Sequence, residues 1–212
     1  MIGVINYRTG NAQSVLFALH HLELDARLVA TPEEADGGDV DRFLLPGVGA
    51  ADVTMASLAE RGWVDHLDVR VRQQGAPFLG VCVGLQVLFE HSAEANTPCL
   101  GWLPGMVVRF PRGRLRVPHM GWNAVTRRST HPFVRGLGPA HFYFVNSYYA
   151  IPAEDADVAG VTEYGVEFAS VVARGNLMAT QFHVEKSGPA GLALLSRFAR
   201  LDPAELVDEM VG

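Results

Sequence analysis

The sequence has few of the features that mark secreted, membrane-bound or nucleic-acid-binding proteins. Only two of its 212 residues are cysteines, Cys82 and Cys99, and they form neither a C-x-x-C pair nor a disulfide framework, so we expect a cytoplasmic protein. No apolar run approaches the ~20 residues that cross a bilayer, and the N-terminus MIGVINYRTG has no signal-peptide pattern. The net charge is −6 with acids and bases mixed, which predicts neither a nucleic-acid nor a membrane partner.

The first half of the chain alternates between strand-like and helix-like apolar spacing. Short apolar runs predict strands at 2–6, 26–29, 42–45 and 78–81. The run at 78–81 is continuous, as in a central parallel strand that is covered on both faces. Helical spacing separates these runs at 12–22 and 50–74, and resumes from Val83. This order predicts an α/β fold with a mostly parallel sheet flanked by helices.

The second half contains many short β-like runs before a last helix. The runs lie at 106–110, 114–117, 142–145, 158–162, 168–173 and 177–181, and the helix at 188–201. No internal repeat, low-complexity segment or linker interrupts the chain, and 49% of its residues are apolar, enough for a sizeable core. We therefore predict a single domain over residues 1–212.

The stretch FLGVCVGLQVLF at 78–89 places one thiol between two glycines at a predicted strand-to-helix junction. A G-x-C-x-G at such a junction is the thiol counterpart of a nucleophile elbow, in which Gly80 and Gly84 relieve crowding. The following helix N-terminus favours a thiolate on Cys82, and the N–H of Val83 is a candidate oxyanion donor. The alternative is a core cysteine in a buried strand.

A general base for this thiol is available in ATQFHVEKSG at 179–188. His183 and Glu185 stand two residues apart, so in an extended segment their side chains project to the same side. Glu185 can then fix the tautomer of His183 from behind. The alternative is a strand end with a solvated histidine and a surface pair of Glu185 and Lys186.

The stretch LLPGVGA at 44–50 supplies a third piece of the same chemistry. A strand that ends in Pro-Gly-x-Gly can offer backbone N–H groups to an anion, because glycine permits the necessary φ values. The N–H of Val48 or Gly49 is therefore a candidate second oxyanion donor. The alternative is an ordinary turn between a strand and a helix.

These three motifs, in this order, resemble those of the class I (triad) glutamine amidotransferases. GVCVGLQ is similar to the nucleophile motif of that family, FHVEKS to its His-x-Glu motif, and PGVG to its oxyanion strand. NYRTGNAQSV, VPHMGWN and FYFVNSYY further resemble the glutaminase subunits of imidazole glycerol phosphate synthase, from histidine biosynthesis. The resemblance implies the flavodoxin-like fold of this family, with short antiparallel strands added in the C-terminal half.

The resemblance also implies a role for each matching position. Cys82 would attack the amide carbonyl of glutamine, His183 would transfer the proton and Glu185 would orient His183. The N–H groups of Val48 and Val83 would hold the oxyanion. The residues expected to bind glutamine are Gly49, Gln86, Ser147 and Tyr148. The thioester chemistry implied needs no metal and no organic cofactor.

Two positions depart from the pattern of the family. The family usually has proline where this chain has Val184, and histidine where it has Asn146. Neither change removes an atom of the triad. Val184 occupies a position that constrains the backbone, and Asn146 is expected beside the glutamine pocket.

Ammonia released by such a glutaminase requires an acceptor site, which the resemblance assigns to a second chain. The partner of this family is a (β/α)8-barrel cyclase that makes imidazole glycerol phosphate and aminoimidazole carboxamide ribotide, so a heterodimer is expected. The expected docking residues are Asn11, Met120, Trp122, Asn123 and Lys186. For Trp122 the alternative is packing into the core of its own chain. A related triad glutaminase that feeds another synthase, such as one forming an amidino sugar, and a thiol hydrolase of the same fold also remain open.

Overall fold

The structure, a computed structural model, describes residues 1–7, 11–111, 113 and 115–207. In these described residues, thirteen strands are joined by hydrogen bonds into one sheet. They are β1 (Ile2–Ile5), β2 (Ala26–Val29), β3 (Arg42–Gly47), β4 (Phe78–Cys82), β5 (His91–Ser92), β6 (Thr97–Pro98), β7 (Gly105–Arg109), β8 (His119–Arg127), β9 (Ala140–Asn146), β10 (Tyr148–Pro152), β11 (Val158–Glu163), β12 (Glu167–Arg174) and β13 (Leu177–Thr180). The α-helices are α1 (Ala12–His21), α2 (Pro32–Asp36), α3 (Ala51–Glu60), α4 (Trp63–Leu67), α5 (Val83–Gln86), α6 (Gly188–Arg200) and α7 (Pro203–Val207).

Five strands form a parallel layer in the order β2-β1-β3-β4-β13. Their residues are almost wholly buried, which explains the continuous apolar runs in the sequence. β13 pairs in parallel with β4, with Thr180 opposite Val81, although nearly a hundred residues separate them. This pairing brings the ends of two distant segments to the same edge of the sheet.

Beyond β13 the strands pair antiparallel, except for β5 and β7, which are parallel. β12 pairs with β13, β10 with β12 and β7 with β10. β11 and β8 extend from β12, and β8 forms a long antiparallel pair with β9. This half carries the segments 119–123 and 142–149 toward the same sheet edge as the parallel strands.

The predicted α/β fold, with a parallel core and antiparallel strands in the C-terminal half, is confirmed. The helix expected from Val83 is only one turn long, because the chain leaves α5 in turns and enters β5. The strand expected at 114–117 is wrong for 115–117, and Arg114 lies outside the described residues. The NYRTGNAQSV motif also falls partly outside them, at residues 8–10. Because one sheet runs through both halves, we propose that residues 1–212 form one domain.

Within the described residues, no helix combines the length and apolar character needed to span a bilayer.

Candidate active site

Cys82 ends β4 and stands directly before α5. Its backbone has φ 58° and ψ −106°, a conformation that residues with a side chain rarely adopt. Such strain persists only where the surrounding structure enforces it, and it is concentrated at functional sites. The N–H of Val83 is at the first position of α5, where it has no acceptor within the helix. Cys82 thus lies on a sharp turn, followed directly by an N–H that α5 itself does not use.

Three glycines pack backbone against backbone around this turn. A Cβ at Gly84 would collide with the carbonyl oxygen of Leu45, and one at Gly80 with the carbonyl oxygen of Gly84. At Gly47 a Cβ would stand 2.8 Å from the Cβ of Val83. β3 and β4 can therefore approach α5 closely only because these positions lack side chains.

His183 lies at the same sheet edge as Cys82, because β13 runs parallel to β4 and ends three residues before His183. Its Nδ1 is 2.9 Å from Oε1 of Glu185, and both side chains are almost fully buried. The extended conformation expected for 183–185 holds at His183 but is wrong for Val184 and Glu185, since Val184–Lys186 form a 3-10 turn. The turn closes because the carbonyl oxygen of His183 accepts the Lys186 N–H, at 3.1 Å, and the Ser187 hydroxyl, at 2.6 Å.

The imidazole of His183 is electrostatically coupled to Cys82 and Glu185. Burial lowers the pKa of His183, but its interactions with Cys82 and with Glu185, whose Oε1 lies 2.9 Å from Nδ1, outweigh this effect and raise the pKa to about 9. A protonated imidazole at neutral pH stabilises a thiolate beside it. The arrangement can therefore supply an activated sulfur nucleophile and, from the same histidine, a proton for a leaving group.

A cavity of about 300 Å³ opens at Cys82 and His183. The other expected oxyanion and glutamine-binding residues also line it, namely Val48, Gly49, Val83, Gln86, Ser147 and Tyr148. Pro118, Asn146 and Lys186 complete part of the wall. Residues from five distant segments thus meet around one thiol.

Two side-chain amides in the cavity wall form hydrogen bonds with other groups of the protein. Gln86 Nε2 donates to the carbonyl oxygen of Tyr148 and to Oε1 of Gln181, both at 3.1 Å. Asn146 Nδ2 donates to the same Tyr148 oxygen at 2.9 Å, while its buried Oδ1 has no hydrogen-bond partner in the part of the chain that the structure describes. Both side chains therefore hold the backbone of Tyr148 at the edge of the cavity.

Glu94 is a wall residue that sequence reasoning missed. Its Oε2 accepts the N–H of Ala51, the first residue of α3, at 2.9 Å, so it braces the turn that follows Pro46-Gly47-Val48-Gly49. The segment EHSAEANTP that contains it resembles a polar surface loop and carries no motif. Its one available signal is its position 12 residues after Cys82.

The expected docking residues differ in solvent exposure and in hydrogen bonding. Met120 and Trp122 are 62% and 56% exposed on β8, which excludes burial of Trp122 in the core of this chain. The Asn123 side chain donates to the carbonyl oxygen of Glu163 at 2.9 Å and accepts the N–H of Ala124 at 2.8 Å. Lys186 lines the cavity, and Asn11 donates a side-chain hydrogen bond to Glu185 at 2.8 Å.

Cys99 lies away from this cavity. It is partly buried, and burial raises the pKa of its thiol to about 11, which disfavours a reactive thiolate. In the part of the chain that the structure describes, no group of three or more His, Cys, Asp or Glu side chains could hold a metal ion.

Comparisons with known proteins agree in sequence and in fold. Residues 4–201 match the profile of the family "Glutamine amidotransferase class-I". The "Imidazole glycerol phosphate synthase subunit HisH" of Aromatoleum aromaticum is 44% identical over 211 residues, covering 95% of this chain and 99% of the relative. The proteins of that name from Dehalococcoides mccartyi and Methylococcus capsulatus are 45% and 46% identical, each covering 95% of this chain and 97% of the relative.

Solved structures support the same fold at lower identity. A glutamine amidotransferase structure superposes with a TM-score of 0.73 at 23% identity, covering 93% of this chain and 98% of the other. The structure of PurLQS from Thermotoga maritima gives a TM-score of 0.70 at 15% identity, covering 93% of this chain and 96% of the other.

Proposed function

Because the chain belongs to the class I glutamine amidotransferase family and, within it, to the HisH subunits of imidazole glycerol phosphate synthase, we propose that it is the glutaminase of that synthase. It hydrolyses glutamine to glutamate and ammonia in histidine biosynthesis. The observation that carries this proposal is the meeting of a strained cysteine with a buried His–Glu pair at one cavity.

The reaction begins with attack of the Cys82 sulfur on the side-chain carbonyl carbon of glutamine. The N–H of Val83, and that of Val48 across the cavity, donate to the oxygen that becomes negative. His183 gives its proton to the amide nitrogen, the C–N bond breaks, and ammonia leaves a thioester on Cys82. His183 then takes a proton from water, which attacks the thioester and releases glutamate.

Glutamine also needs partners for its α-amino and α-carboxyl groups. The carboxylate of Glu94 is the group in the wall that suits the α-ammonium, since among the described residues the Ala51 N–H is the one donor to this carboxylate. Gly49, Gln86 and the backbone at Ser147 and Tyr148 form the rest of the glutamine site. These contacts favour a free amino acid over a glutamine inside a peptide, because a peptide nitrogen carries no charge.

The ammonia passes to a cyclase subunit, which we infer to be a (β/α)8 barrel in a heterodimer with this chain in the cytoplasm. The exposed pair Met120 and Trp122, beside the cavity wall at Pro118 and Lys186, supports docking at this edge. An exposed tryptophan next to a methionine is typical of an interface anchor. We propose that Asn11 and Asn123 also contact the cyclase.

The test compares wild-type protein with Cys82→Ala, in the presence of the cyclase subunit and its substrate. The variant should release no glutamate from glutamine, while synthesis from added ammonium salts continues, because the acceptor chemistry belongs to the other chain. Cys99→Ala is the matched control and should retain wild-type glutamate release. Glutamate release by Cys82→Ala at a rate close to wild type would refute the assignment.

A further inference from the structure

Asn11 precedes α1 at the position where an asparagine side chain ordinarily caps a helix. Its side chain makes no cap hydrogen bond to the first turn of α1. Instead, Nδ2 donates to Oε1 of Glu185 at 2.8 Å, across 174 positions of sequence. The first turn of α1 thus lacks the stabilising side-chain cap that asparagine usually provides, and the amide instead donates to the triad carboxylate.

The carboxylate of Glu185 has few other partners. Its side chain is 1% exposed, and Oε1 accepts from both Asn11 Nδ2 and His183 Nδ1, at 2.8 Å and 2.9 Å. Its Oε2 is buried without a hydrogen-bond partner among the described residues. Asn11 is therefore the one side chain besides His183 that the described structure shows donating to this carboxylate.

We propose that Asn11 is a positioning residue of the triad, whose side-chain N–H fixes the Glu185 carboxylate so that Oε1 faces Nδ1 of His183. This inference rests on the proposed glutaminase function and deepens it. The bond links the His183–Glu185 pair to the start of α1. The geometry of His183 therefore depends on a helix that carries none of the triad residues. Docking of a partner against Asn11 would then act directly on the base.

A merely structural tie between α1 and the turn at 184–186 predicts a different outcome. Loss of such a tie lowers the unfolding temperature but leaves the pH dependence of catalysis unchanged. A positioning role depends on the N–H that Asn11 donates. If the side chain at position 11 can donate only when it is protonated, the reaction rate should therefore follow the protonation of that side chain. The ionisable groups at this bond are Glu185, which accepts it, and His183, which shares the same Oε1, while Cys82 and Lys186 line the cavity next to His183.

Two substitutions separate these roles. Asn11→Leu keeps the approximate volume and removes the donor. Asn11→Asp keeps the shape, donates when protonated and repels Glu185 when ionised, because two carboxylates at this distance cannot both be charged cheaply. Gln13→Ala, an exposed position in the first turn of α1, is the matched control for effects on the helix alone.

The primary readout is the rate at which a chloroketone analogue of glutamine alkylates Cys82 in the full chain alone, followed by mass spectrometry from pH 5 to 9. This assay needs no partner, so weaker docking cannot imitate the effect. Asn11→Leu should react about tenfold more slowly than wild type, on the order of the value of a hydrogen bond to a charged group. The ratio of Asn11→Asp to wild type should be highest at low pH and fall as the introduced carboxyl group ionises.

The second readout is the rate of glutamate release at a saturating concentration of the cyclase subunit. For Asn11→Leu we expect a lower kcat and a nearly unchanged KM for glutamine. A flat pH ratio for Asn11→Asp, or rates for Asn11→Leu equal to those of Gln13→Ala, would overturn the positioning role even if the unfolding temperature falls. A wild-type chain that neither reacts with the analogue nor releases glutamate would instead overturn the proposed function, and this inference with it.

Discussion

The nucleophile side and the base side of the site are held in place by different means. Cys82 is positioned by backbone geometry, with positive φ and glycines that let β3, β4 and α5 touch. His183 is positioned by polar contacts. Its N–H donates to the carbonyl oxygen of Tyr143 at 2.9 Å, its carbonyl accepts from Ser187, and its ring meets Glu185.

This difference predicts that the two sides respond to different kinds of amino-acid substitution. The nucleophile side should tolerate no added atoms, because the neighbours of its glycines are backbone groups that cannot rotate away. The base side should tolerate small changes in shape but not the removal of a donor or acceptor, since buried polar groups lose their partners. The predictions below test this contrast from the largest expected effect to the smallest.

Gly84→Ala should be the most damaging substitution. The new methyl group meets the carbonyl oxygen of Leu45, so either α5 or β3 must move. We expect a loss of about 3 kcal/mol in the free energy of unfolding and no measurable glutamine hydrolysis. Urea denaturation and a glutamate assay measure both effects.

Gly138→Ala is the control for this prediction, because no atom lies within 4 Å of a Cβ at that position. It should unfold at nearly the wild-type urea concentration. If Gly84→Ala behaves like Gly138→Ala, close backbone packing does not position the nucleophile.

The titration of His183 tests the base side. Its pKa should lie near 9 rather than 6.5, because its bonds and charge interactions with Cys82 and Glu185 outweigh the lowering by burial. The stabilisation that the protonated ring gives the fold is present below about pH 6.5 and is lost as pH rises through about 9. NMR of the ring carbons should report this pKa, and Glu185→Gln should lower it.

An unchanged His183 pKa in Glu185→Gln would show that the carboxylate does not hold the protonated ring. Cys82→Ala provides an independent comparison, since it removes the other negative partner and should also lower the pKa.

Ser187→Ala should have a moderate effect. Its hydroxyl donates to the carbonyl of His183 at 2.6 Å and accepts the N–H of Tyr143 at 3.0 Å. Removing it leaves the Tyr143 N–H without this acceptor, which costs about 1–3 kcal/mol in the free energy of unfolding. Thermal unfolding of Ser187→Ala and of Ser196→Ala, on α6, compares this site with a less buried serine of the last helix.

Equal stability of the two serine variants would contradict the view that polar contacts hold the base. A decrease in kcat for Ser187→Ala alone would extend that view from stability to catalysis.

Val184→Pro should have the smallest effect. Val184 is the first residue of a 3-10 turn, where the N–H has no acceptor within the turn, and His183 has φ −81° and ψ 103°, which suits a residue before proline. We expect glutaminase activity within about tenfold of wild type, which corresponds to a change of about 1.4 kcal/mol in the activation free energy. The free energy of unfolding should differ from that of wild type by less than about 1 kcal/mol. A loss comparable to that of His183→Ala would show that the turn cannot accept the family's usual residue.

The sequence predicts the parallel core well because its strands are buried on both faces and stand out as apolar runs. It predicts the motifs around Cys82, His183 and Val48 because glycines and local spacing mark them. It does not predict β8, because the large apolar side chains of this strand, Met120 and Trp122, lie on its exposed face rather than toward the core. Nor does it predict the 3-10 turn at 184–186, which depends on the Ser187 hydroxyl, or Glu94, whose contact with Ala51 exists only in the folded chain.

The placement of β13 has a consequence for the order in which the protein becomes active during synthesis. The nucleophile turn and the strands on one side of it are complete once residue 86 has been made, but β13 and His183 are made nearly a hundred residues later. A ribosome adding roughly 5–20 residues per second needs several seconds to cover that distance. During that interval the nascent chain carries Cys82 without its histidine, so the thiol gains its activated form only when β13 enters the sheet beside β4.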